Sequence, residues 1–204
     1  PALPLILCLD NNINPKPCEF GQSVREGLRF FNEVRVFGGS ARAMAEAVTA
    51  KLGSAKPMAI GLAGDATDRH ISSAGDSNGW GWYGDFKAEL RRVFGNIVIE
   101  LMVPDGNPLV LSRLQTVNGY MRNATGERRL TVDPKCLHLI ADFQGVSVDD
   151  NGGLIKPGSR AGKGVEKGFT DPSDAIGYWV CWHADRRRNE RTDAPEILTG
   201  KLSL

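Results

Sequence analysis

Three aspartates stand where apolar runs give way to polar turns. Asp10 closes Leu5-Ile6-Leu7-Cys8-Leu9, Asp65 closes Met58-Ala59-Ile60-Gly61-Leu62-Ala63-Gly64, and Asp174 opens an apolar helical stretch. Each is expected near solvent on a buried scaffold. Converged, the three make a concentration of negative charge that a hard divalent cation neutralises, since carboxylate oxygens suit Mg²⁺ and Mn²⁺. That chemistry points to a metal site that handles phosphate. Each acid also has a purely structural reading. Asp10 and Asp65 can close turns through their side chains, and Asp174 can be a first-turn acid favoured by the helix dipole.

The elements that must carry these residues follow from periodicity. Residues 3–10 have strand length, and Asn11-Asn12-Ile13-Asn14-Pro15-Lys16-Pro17 is a turn by its asparagines and prolines. Residues 18–25 and 28–37, separated by Gly27, have strand content, so three sequential antiparallel strands are expected. The period then changes. Ser40 caps a helix carrying Met44, Ala45, Val48 and Leu52, which Gly53 ends, and a buried strand at 58–65 follows. A helix over 79–94 shows Trp82, Phe86, Leu90 and Phe94 at four-residue steps, and 97–102 reads as a strand. A helix over 108–122 turns Leu111, Leu114, Val117 and Met121 to one side. A short strand lies at 129–132, and Asp133 caps a helix from Pro134 with Leu137, Ile140 and Ala141 inward. A closing helix starts near Asp171. Three antiparallel strands followed by parallel crossovers predict an α/β fold, a mixed five-stranded sheet with helices on both faces. The glycine-rich segment at 145–169, with Asn151-Gly152-Gly153, adds a β-hairpin or mobile flap.

Composition narrows the classes. The 204 residues, 41% hydrophobic and 24% charged, suit one compact domain spanning 1–204. No apolar run is long enough to cross a membrane and no signal-peptide layout opens the chain, so a cytosolic protein is expected. Cys8, Cys18, Cys136 and Cys181 lack C-x-x-C spacing and read as reduced and mostly buried, which disfavours zinc and disulfides. Lys156, Arg160, Lys163 and Lys167 form one basic group and Arg186, Arg187, Arg188 and Arg191 another; either contacts phosphate or is a solvated face. His138 and His183 read as structural histidines rather than ligands, and Trp80 and Trp82 could stack on bases, although core and helix packing is the more common use. A G-x-x-x-x-G-K-[ST] motif is missing, so no nucleotide-hydrolysing loop is expected in these residues.

Asp10-Asn11-Asn12-Ile13-Asn14-Pro15 with Gln22, Gly64-Asp65-Ala66-Thr67 with Arg69, Ser72 and Ser73, Arg113 to Asn118, Val132-Asp133-Pro134-Lys135-Cys136 with Val146-Ser147, and Ser173-Asp174-Ala175 with Tyr178 follow one another in that order. This ordered set resembles the nuclease domain in large terminase subunits of tailed bacteriophages. The resemblance implies an RNase H-like fold and a metal-dependent endonuclease that cuts concatemeric viral double-stranded DNA during genome packaging in the host cytoplasm. It implies two ions, Mg²⁺ or Mn²⁺, with Asp10 bridging both, Asp65 binding one and Asp174 the other. Asp171 stands where many relatives carry histidine, and is either an additional ligand or the cap of the closing helix. Lys163 or Lys167 is expected near the scissile phosphate, and Arg69, His70, Ser72 and Ser73 either steady a DNA strand or form a solvated loop. The implied partners are an ATPase domain of the same polypeptide that these residues do not contain, the small terminase subunit and the portal. Two other readings stand beside it: another RNase H-like nuclease such as a junction resolvase, and a noncatalytic DNA-binding or motor-docking module.

Overall fold

The computed structural model describes residues 3–10, 15–69, 81–148, 154–155 and 171–192. Its main sheet has six strands: β1 (Leu5–Leu9), β2 (Lys16–Val24), β3 (Gly27–Val36), β4 (Ala59–Gly64), β5 (Val98–Leu101) and β6 (Leu130–Val132), in the spatial order β5-β4-β1-β2-β3-β6. β1 runs antiparallel to β2, with Cys8 opposite Glu19, and parallel to β4, with Leu9 opposite Gly64. The expected three-strand meander and parallel crossovers are therefore present. The strand count differs by one, because the short strand β6 adds parallel to β3 through Leu28, Arg29 and Phe30.

Five helices flank this sheet among the described residues: α1 (Ala41–Leu52), α2 (Gly81–Phe94), α3 (Val110–Met121), α4 (Leu137–Gly145) and α5 (Asp171–Thr192). The Ser40 hydroxyl accepts from the Ala43 amide at 3.2 Å, and Gly53 closes α1 at φ 59°, a backbone region glycine enters without a Cβ penalty. Alternation along β1 divides the core. Leu5, Leu7 and Leu9 pack with Met44, Val48, Tyr83, Phe86 and Leu90 on the α1–α2 side, while Ile6 and Cys8 pack with Val117, Leu139, Ile176 and Trp179 on the other. Burial of such large side chains dominates the stability of the fold, and truncating Trp179 to alanine costs about 3–5 kcal/mol.

Two helices are rotated relative to their sequence reading. In α3 the buried residues are Arg113, Val117 and Tyr120, and Leu111 is half exposed. In α4 they are Leu139 and Asp142, with Leu137 and Ala141 exposed. Asp133 forms a turn, accepting from the Lys135 amide, and α4 begins later, at Leu137. Polar anchors override the hydrophobic pattern here. Glu33 of β3 reaches across to accept the His138 and Leu139 amides at 2.9 and 3.1 Å, and Asp142 accepts the Ser173 amide at 2.6 Å. Two acids from elsewhere in the chain thus satisfy the orphan amides at the starts of α4 and α5.

Ser147–Val148 (β7) and Leu154–Ile155 (β8) pair antiparallel. All four cysteines are free and buried. His138 bonds Glu33 and His183 bonds Tyr120. Trp82 packs in the core. Among the described residues, no helix is long and apolar enough to cross a membrane.

Candidate metal centre

Strand alternation decides which face each acid occupies. Asp10 continues the side of Ile6 and Cys8, and Asp65 continues the side of Ala63, so both head toward the face that α5 covers. They directly follow the last register pair of β1 and β4, Leu9 with Gly64, at the ends of neighbouring parallel strands. Gly64 makes this closeness possible, because a Cβ there would collide with the Leu9 carbonyl and the Tyr83 hydroxyl. Asp174 comes from the first turn of α5. All three are nearly buried, at 6, 8 and 7% exposure for Asp10, Asp65 and Asp174.

Asp65 is held on several sides. Its Oδ1 accepts the Thr67 amide at 2.6 Å, the Thr67 hydroxyl at 2.6 Å and the Asn107 amide group at 2.7 Å. Asn107 in turn accepts the Ala66 amide at 2.8 Å, and the Tyr178 hydroxyl donates to Asp65 Oδ2 at 3.3 Å. Burial alone would raise this carboxyl, but the bonds from Thr67, Asn107 and Tyr178 outweigh it and hold the group below its ordinary value. The turn-closing role of Asp65 is thus real, and it coexists with an ionised carboxylate facing the site.

Asp174 is paired. Arg113 Nη2 lies 2.7 Å from its Oδ1, and the guanidinium stands 4.5 Å from the centre of the Tyr178 ring. Gly177 gives Arg113 its room, since a Cβ at that position would sit 2.8 Å from two carbons of the arginine stem. The Tyr178 hydroxyl is the common neighbour. Burial pushes it up, Arg113 opposes, and the charges of Asp65, Asp10 and Asp174 push it further up. Tyr83, whose hydroxyl donates to the Asp65 carbonyl, is likewise raised by burial and then by Asp68, Asp65 and Asp10.

Three near-buried carboxylates from two strand ends and a helix start are oxygen donors of the kind a hard divalent cation takes. The arrangement is not a closed cage. Among the described residues, no three His, Cys, Asp or Glu side chains stand close enough together to hold one ion, and oxygens of Asp65 and Asp174 are engaged by Asn107, Thr67 and Arg113.

Of the softer expectations, Asp171 is the first residue of α5 and Arg69 ends the short 3-10 turn Ala66–Arg69, their side chains lying outside the described atoms. His70, Ser72, Ser73, Trp80, Lys163 and Lys167 fall outside the described residues. Asn107, Tyr83, Asp68 and Asp142 were not picked out by sequence. Asn107 sits in Pro104-Asp105-Gly106-Asn107-Pro108, a turn whose composition gives no hint that its amide reaches 42 residues back.

No protein-family model matches the chain, and no curated protein matches its sequence. Solved structures do resemble it. The large terminase of a thermophilic bacteriophage aligns at 13% identity over 88% of this chain and 40% of that one, with a TM-score of 0.54. The same terminase in complex with ADP aligns at 13% identity over 88% and 39%, with a TM-score of 0.55. The phage P22 large terminase nuclease domain aligns at 13% identity over 91% and 81%, with a TM-score of 0.49. The chain spans about 40% of the length of the thermophilic phage's terminase. The architecture is the RNase H-like one that the sequence resemblance implied, with β3-β2-β1-β4-β5 in series and β6 added at the β3 edge.

Proposed function

We propose that this chain is a metal-dependent DNA endonuclease domain of the large-terminase kind, cutting concatemeric viral double-stranded DNA during genome packaging. The observation that carries the reading is that Asp10 and Asp65 follow the paired ends of adjacent parallel strands, Leu9 with Gly64, and that Tyr178, one turn after Asp174 on α5, donates to Asp65. The likeness to the thermophilic phage's terminase supports the fold that such a site requires.

Asp10, Asp65 and Asp174 would hold two divalent cations, Mg²⁺ or Mn²⁺, with Asp171 as a further candidate ligand. Bound there, the ions supply an activated water and charge neutralisation for in-line displacement at phosphorus. The chain's own residues prepare the charge. Thr67 and Asn107 keep Asp65 ionised and aimed, and Arg113 fixes Asp174 until a cation competes for it. Tyr178 ties the strand-end acid to the helix that carries the third. Lys163, Lys167, Arg69 and Ser72 remain candidates for contact with the DNA. An ATPase domain of the same polypeptide, the small terminase subunit and the portal are the proposed partners, and the host cytoplasm the proposed location.

The test is nicking of supercoiled plasmid with Mn²⁺, with and without chelator, for the native chain and for Asp10→Asn, Asp65→Asn and Asp174→Asn. Each substitution should abolish cutting while the far-ultraviolet spectrum is unchanged. Preserved cutting in all three rejects the mechanism. Preference for a four-way junction over linear duplex would move the assignment to a junction resolvase.

A further inference from the structure

Along α5, Asp174, Tyr178, Trp182 and Arg186 recur at four-residue steps. Side chains at that spacing form one ridge of a helix, here about 18 Å long at 1.5 Å per residue. The ridge starts at the candidate metal centre and changes character along its length, from carboxylate to phenol to indole to guanidinium. Two clefts open beside it. One, of about 600 Å³, takes in Tyr178, Trp182 and Arg186. The other, of about 350 Å³, shares Trp182 and Arg186 and adds Arg25, His183 and Arg187. It lies toward the Leu5 end of β1, away from Asp10.

The chemistry of the second cleft is one-sided. Its described lining includes three arginines and one histidine and no carboxylate. Arg186 and Arg187 sit in the later part of α5, where basic residues suit the helix dipole, but Arg25 comes from the turn between β2 and β3, which no dipole explains. The Arg186 guanidinium lies 5.3 Å from the centre of the partly exposed Trp182 ring, in contact with Glu100 at 3.7 Å. An indole beside a guanidinium offers two surfaces on which a base can stack, and neighbouring arginines offer partners for the phosphates on either side. A duplex hides its base faces, so this combination selects an unpaired strand.

We infer that Trp182 and Arg186 on α5 and the Arg25–Arg187 cleft form a binding track for single-stranded DNA, leading a strand away from the metal centre. The inference rests on the nuclease reading for the identity of that strand, but binding itself needs no cutting.

The experiment is fluorescence anisotropy of a labelled oligothymidylate, and of a blunt duplex of equal length, in chelator, using the native chain, Trp182→Ala, Trp182→Phe and Arg25→Glu. Trp182→Ala should weaken oligothymidylate binding roughly tenfold and leave the duplex nearly unchanged, while Trp182→Phe keeps most of the affinity. Arg25→Glu, at an exposed position unrelated to packing, should weaken binding and reduce the salt slope by about 0.7 for each phosphate that is no longer neutralised. Unchanged affinity in both Trp182→Ala and Arg25→Glu overturns the track, as does an equal loss for the duplex or displacement of the oligonucleotide by an oligoglutamate at the same concentration. If plasmid nicking fails but the Trp182-dependent affinity is found, the track stands and the nuclease reading falls; the converse result separates them the other way.

Discussion

Arg113 Nη2 lies 2.7 Å from Asp174 Oδ1, with both side chains nearly excluded from solvent. A buried pair of this kind gains little over apolar packing, but losing one member strands the other charge. Here the pair stands where a cation is proposed to bind, so the guanidinium acts as a stand-in positive charge for Asp174.

Removing that stand-in should show both effects. Arg113→Met is expected to destabilise the chain by about 3–5 kcal/mol in urea denaturation. Mn²⁺ should then restore more stability to the variant than it adds to the native chain, because Asp174 no longer has a competing partner. Gly177→Ala, which crowds the arginine stem, should act in the same direction more weakly. Equal Mn²⁺ effects on native and variant would show that Asp174 takes no part in metal binding.

Asn107 makes a second test possible through pH. The Asp65 carboxyl is held below its ordinary value in the fold, so its ionised form contributes stability that is complete above the unfolded pKa and lost as pH falls through the folded one. Asn107→Ala removes a donor to that carboxylate at 2.7 Å, so the folded pKa rises toward the unfolded value. The variant should lose about 1–3 kcal/mol near neutrality, and its stability should fall less steeply below about pH 4 than that of the native chain. Denaturation curves between pH 3 and 7 measure both, and parallel profiles would remove Asn107 from this role.

Glu19 has the opposite sign. It is fully buried on β2, and neither carboxylate oxygen has a hydrogen-bond partner among the described residues. Burial, then the charges of Glu33 and Asp142, push its pKa well up against the pull of Arg35, so the folded chain keeps a proton that the unfolded chain releases. Native stability therefore declines as pH rises above about 4.3. Glu19→Gln imitates the protonated acid and should remove this decline, stabilising the chain more at pH 8 than at pH 4. Thermal melts across that range check it; a gain independent of pH would mean that Glu19 is already ionised.

The sheet and the placement of its acids were legible because alternation along β1 and β4 is strong and each run ends on its aspartate. Ser40 and Gly53 likewise announced both ends of α1. The rotations of α3 and α4 were hidden for a shared reason: Arg113, Asp142 and Glu33 are charged residues turned inward to partners 61, 31 and 105 residues away, and a local window sees only their polarity. Asn107 escaped notice for the same cause. The three aspartates stood out as candidates because each lies at one end of an apolar run, whereas residues such as Asn107 and Arg113 that touch two of them depend on contacts that only the folded chain supplies.

The central claim is that Asp10, Asp65 and Asp174 together hold divalent cations, and anomalous diffraction from crystals soaked in Mn²⁺ tests it most directly. The account expects two manganese peaks between the β1 and β4 strand ends and α5, with Asp174 turned from Arg113 toward the metal. Crystals with no peak there at saturating Mn²⁺, and the Arg113 pair intact, would contradict it.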